Sequence, residues 1–115
     1  MASDSFTFDG YRLISKTLTD SLRMRPSGWR VIFKSLNLCD YLIRNGSERC
    51  VDLFRGELRP LIRQLETFNF YEGSVDRGGG VREKAREIGE FLGDTERIRE
   101  ERGKARRLRE KFGGT

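Results

Sequence analysis

GWRVIFKSLNLCDYLIRNGSER, residues Gly28–Arg49, decides how this 115-residue chain folds. Within it Trp29, Ile32, Phe33, Leu36, Cys39, Leu42 and Ile43 recur at intervals of three and four, the spacing that keeps one face of an α-helix apolar. Val31, Leu38 and Tyr41 carry apolar character further round the cylinder, so Trp29–Arg44 reads as a helix at the centre of the core, with the Trp29 ring in it. Asn45-Gly46 supplies a helix stop of the left-handed type, and Ser47 offers a cap to the helix that follows. Two helices therefore meet at a tight joint.

Working outward, the same signals divide the rest of the chain. Before the central helix, residues 21–28 form a basic loop with Arg23 and Arg25, where Pro26 interrupts any continuing helix. Upstream of it Leu13, Ile14, Leu18 and Leu22 stripe a helix over Phe8–Leu22. Beyond the joint, Glu48–Glu66 carries Val51, Leu53, Phe54, Leu58, Leu61, Ile62 and Leu65, and Gly56 and Pro60 predict either one bent helix or two short ones. Phe68-Asn69-Phe70-Tyr71 reads as an extended segment pinned to the bundle by its rings, leading into a loop at residues 73–80. Val81–Leu92 resumes helical spacing and ends at Gly93, and Asp94 or Thr95 caps a final polar helix reaching Lys111. Ile98, Ala105 and Leu108 share one face of that helix and predict docking along a narrow seam. The expectation is an all-α domain over residues 8–112, with flexible tails at 1–7 and 113–115.

Composition narrows the function classes. Apolar and charged residues each make up 36% of the chain, and 13 glycines bring the apolar share near the globular average, which argues for a folded domain. No apolar run approaches the roughly 20 residues needed to span a bilayer, and the first residues lack the pattern of a secretory signal. With 0 histidines, a Ser-His-Asp or Cys-His pair and a His-ligated zinc are unavailable, and no nucleophile–base pair, metal cluster or cofactor motif stands out. The reading is non-enzymatic, with no catalytic residue, no metal and no cofactor. Cys39 and Cys50, outside any Cys-x-x-Cys spacing, read as buried reduced thiols of a cytosolic protein.

The net charge of +5 permits anionic partners. Gly78-Gly79-Gly80 lacks the strand and the Gly-Lys-Ser/Thr of a phosphate loop and reads as a flexible connector. The Arg-rich run Arg97–Lys111 could grip phosphates, yet its interleaved glutamates favour a solvated face with helical ion pairs. Phe68, Phe70 and Tyr71 lack the strands of an RNA-binding sheet, so no nucleic-acid partner is expected. The more informative cluster is Arg23, Arg25, Arg30 and Lys34, at the entry to the central helix. It reads equally as a site for a phosphorylated head group and as plain exposed charge.

The blocks Gly28–Leu36 and Asp40–Arg49 resemble the epsin N-terminal homology (ENTH) domain family. So do Phe68–Tyr71, Val81-Arg82-Glu83-Lys84-Ala85 and Asp94–Arg102, which are similar in order and spacing to that family's DFQY, NVREK and DEERLRxER stretches. The resemblance implies a right-handed superhelix of paired helices, as in cytosolic adaptors of clathrin-associated vesicle traffic and endocytosis. It further implies peripheral attachment to endocytic, endosomal or Golgi membranes through phosphoinositide head groups, and partners among clathrin-coat or SNARE proteins. Nothing in residues 1–7 corresponds to the family's amphipathic N-terminal helix or the helix after it, and helix faces left uncovered would invite self-association. Thr17 stands where phosphoinositide-binding members carry Arg, and Val31 replaces the His after Trp-Arg. Arg30 and Lys34 match, and Arg23 or Arg25 could substitute for the family's Lys before Trp. Weak lipid binding is the expectation, with a protein-binding module that has lost lipid recognition, for example one for SNARE domains, as the alternative.

Overall fold

The computed structural model describes residues 8–112, so the expected tails at 1–7 and 113–115 lie outside the described residues. Six helices succeed one another: α1 (Phe8–Leu22), α2 (Trp29–Asn45), α3 (Glu48–Leu53), α4 (Arg59–Gln64), α5 (Gly79–Leu92) and α6 (Thr95–Phe112). α2 packs against α1, α3, α5 and α6, and α5 packs in turn against α4. The reason is the apolar girth of α2: Ile32, Leu36, Cys39 and Ile43 have no exposed surface, and Phe54, Ile62, Val81, Ala85 and Phe91 close over them. Both cysteines are free and buried, as expected, and burial pushes the Cys39 thiol up to about 12.

Glu48–Thr67 is one bent helical run. A π-turn over Phe54–Leu58 joins α3 to α4, and a 3₁₀ turn over Leu65–Thr67 finishes it. Pro60 has no N–H for the carbonyl of Gly56, and its ring would crowd that carbonyl. The wider turn relieves the clash at the cost of a bend.

Several expectations are corrected. Gly46 is not left-handed: its φ is −79° with ψ −177°. Glycine is required there by close approach, because a Cβ would sit 2.7 Å from the Leu42 carbonyl and 3.2 Å from Cys50 Cβ. Ser47 does cap α3, its Oγ accepting from the Cys50 N–H. Gly79 and Gly80 are not a connector but the first turn of α5, and a Cβ on Gly80 would meet the Phe33 ring at 3.4 Å. A two-residue hairpin, β1 (Tyr71–Glu72) with β2 (Val75–Asp76), turns at Gly73, whose φ of +62° suits glycine. Phe68 is buried and Phe70 packs on the core as anchors, but Tyr71 faces solvent. The α6 seam is shorter than its pattern: Ile98 is buried, whereas Leu108 is 57% exposed.

Charged residues of the sequence blocks tie these layers together. Arg102 on α6 donates from Nη1 to the Ile43 carbonyl and from Nη2 to the Gly46 carbonyl, each at 2.7 Å. Arg44 pairs with Asp40 on its own helix and with Glu101 on α6. Lys84 reaches Asp40 from α5 at 3.8 Å. Arg82 holds the hairpin, donating to Asp76 Oδ2 at 2.6 Å and to the Phe68 carbonyl at 3.0 Å. Arg102→Ala should lower stability by about 1–3 kcal/mol, the usual cost of leaving partly buried carbonyls unpaired; urea unfolding checks this, and an unchanged midpoint would show that water replaces the fork without loss.

Asp76 gives a pH prediction. The Arg82 guanidinium, helped by the Gly78 N–H, holds its carboxyl below the ordinary value of 3.8. A depressed carboxyl contributes stability above its unfolded pKa and loses it as pH falls through the folded one. The stability gap between wild type and Asp76→Asn should therefore be constant from pH 8 to about 5 and shrink below about 4. Thermal melts across that range are the check, and a gap that widens in acid would refute the assignment.

Candidate basic site at the entry to α2

The connection from α1 to α2 is built by local rules. Arg23 closes the last turn of α1, its N–H donating to the Thr19 carbonyl at 3.2 Å. Arg25 is extended at φ −60° and ψ 153°, as a residue before proline prefers. Pro26 then opens a 3₁₀ turn (Pro26–Gly28), closed by the Gly28 N–H on the Arg25 carbonyl at 2.8 Å, and α2 begins at Trp29. Gly28 packs under Met24, whose sulfur would lie 3.0 Å from a Cβ there.

All four predicted cations lie on this entry and are exposed: Arg23 and Arg25 in the connection, Arg30 and Lys34 one turn apart on α2. Among the described residues none of the four has a side-chain hydrogen bond or an ion pair, so their charge is not neutralised within the fold. The exception to their freedom is a ring contact, with the Arg30 guanidinium 4.6 Å from the centre of the Trp29 indole.

Trp29 is not in the middle of the core. It is half-buried at the core's edge, and Arg77 sits 5.6 Å from the same ring, also paired with Glu72 at 2.8 Å. The indole thus joins the hairpin to the start of α2 and steadies a cation on its surface. Sequence reasoning missed Arg77, because a contact across almost fifty residues leaves no local periodicity. Thr17 and Leu13 line a different feature, an apolar groove of about 600 Å³ between α1 and α2 that also exposes Leu38 and Tyr41.

Residues 1–98 match the model of the ENTH domain. Clathrin interactor 1 of Homo sapiens is 38% identical over 99% of this chain, which spans 18% of that protein. Epsin-3 of Saccharomyces cerevisiae is 45% identical over 76% of the chain, spanning 22% of that protein. In fold, the ENTH domain of epsin-2 in complex with phosphatidylinositol 4,5-bisphosphate is similar at a TM-score of 0.83 and 38% identity, with 89% of this chain and 72% of that one covered. The human epsinR ENTH domain matches at 0.83 and 39%, covering 92% and 79%. The fold is thus an all-α superhelix of the ENTH kind, and the chain belongs to the ENTH domain family. It spans about a fifth of the length of the curated relatives it matches. No helix among the described residues is long and apolar enough to cross a membrane.

Because Trp29 is half-buried, Trp29→Ala should cost roughly half of the 3–5 kcal/mol typical of a buried aromatic, and Phe54→Ala, with no exposed surface, should cost the full amount. Chemical denaturation of the two variants gives the ranking, and equal losses would return Trp29 to the core.

Proposed function

We propose that this chain is a non-enzymatic ENTH adaptor module that attaches to phosphoinositide-bearing membranes through Arg23, Arg25, Arg30 and Lys34, in clathrin-associated vesicle traffic. The observation that carries this is the unneutralised charge of those four side chains, at the entry to α2 of a fold whose epsin-2 relative takes phosphatidylinositol 4,5-bisphosphate. Guanidinium groups suit phosphate because their paired N–H donors match its oxygens, and a free cation loses no internal partner when it binds. The names of the relatives support the coat setting, as clathrin interactors and epsins. Placement at endocytic, endosomal or Golgi membranes is part of the proposal.

Affinity should be modest, since Thr17 and Val31 stand where lipid-binding members carry Arg and His. A second reading rests on a separate observation. The groove between α1 and α2 exposes Leu13, Leu38 and Tyr41, an apolar face suited to a helical protein partner such as a SNARE domain or to a second copy of the chain.

Co-sedimentation with vesicles containing phosphatidylinositol 4,5-bisphosphate, against phosphatidylserine vesicles of equal charge at physiological salt, separates the two. The lipid reading expects preference for the phosphoinositide and at least a fivefold loss in Arg30→Glu/Lys34→Glu, with the melting temperature unchanged because exposed charges contribute little to folding. Trp29, the only tryptophan, should report the same binding through its fluorescence. Binding that follows charge alone, or none, would reject the lipid reading in favour of protein cargo.

A further inference from the structure

The far end of α2 carries a second concentration of arginine. Between α3 and α6 lies a cavity of about 460 Å³ with Val51 and Ile98, both buried, in its apolar lining. Four guanidinium groups line it against one carboxylate, Glu48. Arg99, Arg102 and Arg106 are spaced by three and four residues, which sets them along one face of α6, and Arg55 comes from the π-turn opposite. Thr95 continues the α6 stripe one turn earlier and adds a hydroxyl.

These arginines are not equivalent. Arg102 is committed to the Ile43 and Gly46 carbonyls, and its Nε also approaches Glu48 at 3.5 Å, so the cavity's carboxylate already has a structural partner. Arg99 has an exposed contact to Glu96 at 3.7 Å. Among the described residues Arg55 and Arg106 have no hydrogen-bond or ion-pair partner. Three guanidiniums from two elements thus face one concavity with no carboxylate held firmly against them.

A single phosphate is too small to meet forks arriving from opposite walls of such a space. A ligand bearing several phosphates on a compact ring would meet them, with the ring's C–H face on the apolar lining. A nucleic-acid strand would call for stacking rings, and no aromatic residue lines this cavity. We propose that the cavity between α3 and α6 binds a multiply phosphorylated ring of inositol polyphosphate chemistry, whether free in solution or as a lipid head group. This site is separate from the proposed membrane contact at the start of α2 and does not depend on it.

Calorimetric titration of the protein with inositol hexakisphosphate tests this. Arg55→Glu/Arg106→Glu should weaken binding at least tenfold. Arg107→Glu/Lys111→Glu changes the protein's net charge equally at two positions of α6 that do not line the cavity, and should weaken it less than twofold. Arg30→Glu/Lys34→Glu should leave this binding in place, so the two sites fail independently. Circular dichroism melts verify folding, and if Arg55→Glu/Arg106→Glu does not fold, Arg106→Gln alone should still weaken binding about threefold. Absence of binding, equal losses in the cavity pair and its control, or loss confined to the Arg30 and Lys34 pair would each overturn the proposal. Vesicles with 5% phosphatidylinositol 4,5-bisphosphate identify the source: a cavity pair that loses vesicles as well as soluble ligand means a lipid head group, and one that loses only the soluble ligand means a free polyphosphate.

Discussion

A helix surrounded on most sides cannot rely on water to satisfy its last carbonyls, and in this fold α2 is so surrounded. The Arg102 fork resolves that constraint by bringing two donors from α6 onto the Ile43 and Gly46 carbonyls. Much else follows from it. The close turn at Gly46 presents its carbonyl outward to Arg102 while its N–H returns to Leu42, and the crowding at that turn excludes any Cβ. Ser47 then starts α3 immediately, so α3 and α6 lie beside the same end of α2. The weakly apolar α6 docks through Ile98 and this polar clasp, without the long hydrophobic seam that its sequence first promises.

The helices were legible because their evidence is local. Apolar residues at threes and fours, Ser47 before Glu48, and Pro26 before Trp29 each act within one or two turns, and the elements fall close to where those signals put them. The departures have a common cause in contacts made across the chain. Gly46 reads as a left-handed stop until the Leu42 carbonyl and Cys50 are seen beside it. Gly79 and Gly80 read as a connector because glycine is a poor helix former, yet the Phe33 ring over Gly80 leaves no easy place for a side chain. Trp29 reads as core because its spacing fits, but its other face is taken by Arg30 and Arg77. Of the candidate site, the exposure of its four cations was legible. The indole clamp was not.

The charged residues sort by what they touch. Asp40, Arg44, Lys84, Arg82, Glu101 and Arg102 belong to the sequence blocks that carry the family resemblance, and each bridges elements or closes a helix end. Those blocks therefore account for the fold more directly than for a ligand, which is why family membership and head-group affinity are separable. Charges without internal partners are the ones available to a ligand. Among the described residues they include the four cations at the entry to α2 and Arg55 and Arg106 in the cavity between α3 and α6.

Those two places sit at opposite ends of one rigid element. α2 has 17 residues, so at 1.5 Å per residue its ends are separated by about 25 Å. The Debye length at physiological salt is about 8 Å, so charge at one end is screened from a ligand at the other. The proposed membrane contact and the proposed polyphosphate cavity should then act as independent sites electrostatically, and coupling between them would have to pass through the packing of α2. A flat bilayer could engage both only if α2 lay nearly parallel to its surface. An upright α2 would leave the second site about 25 Å clear of the head groups, facing whatever soluble ligand or coat component occupies that layer.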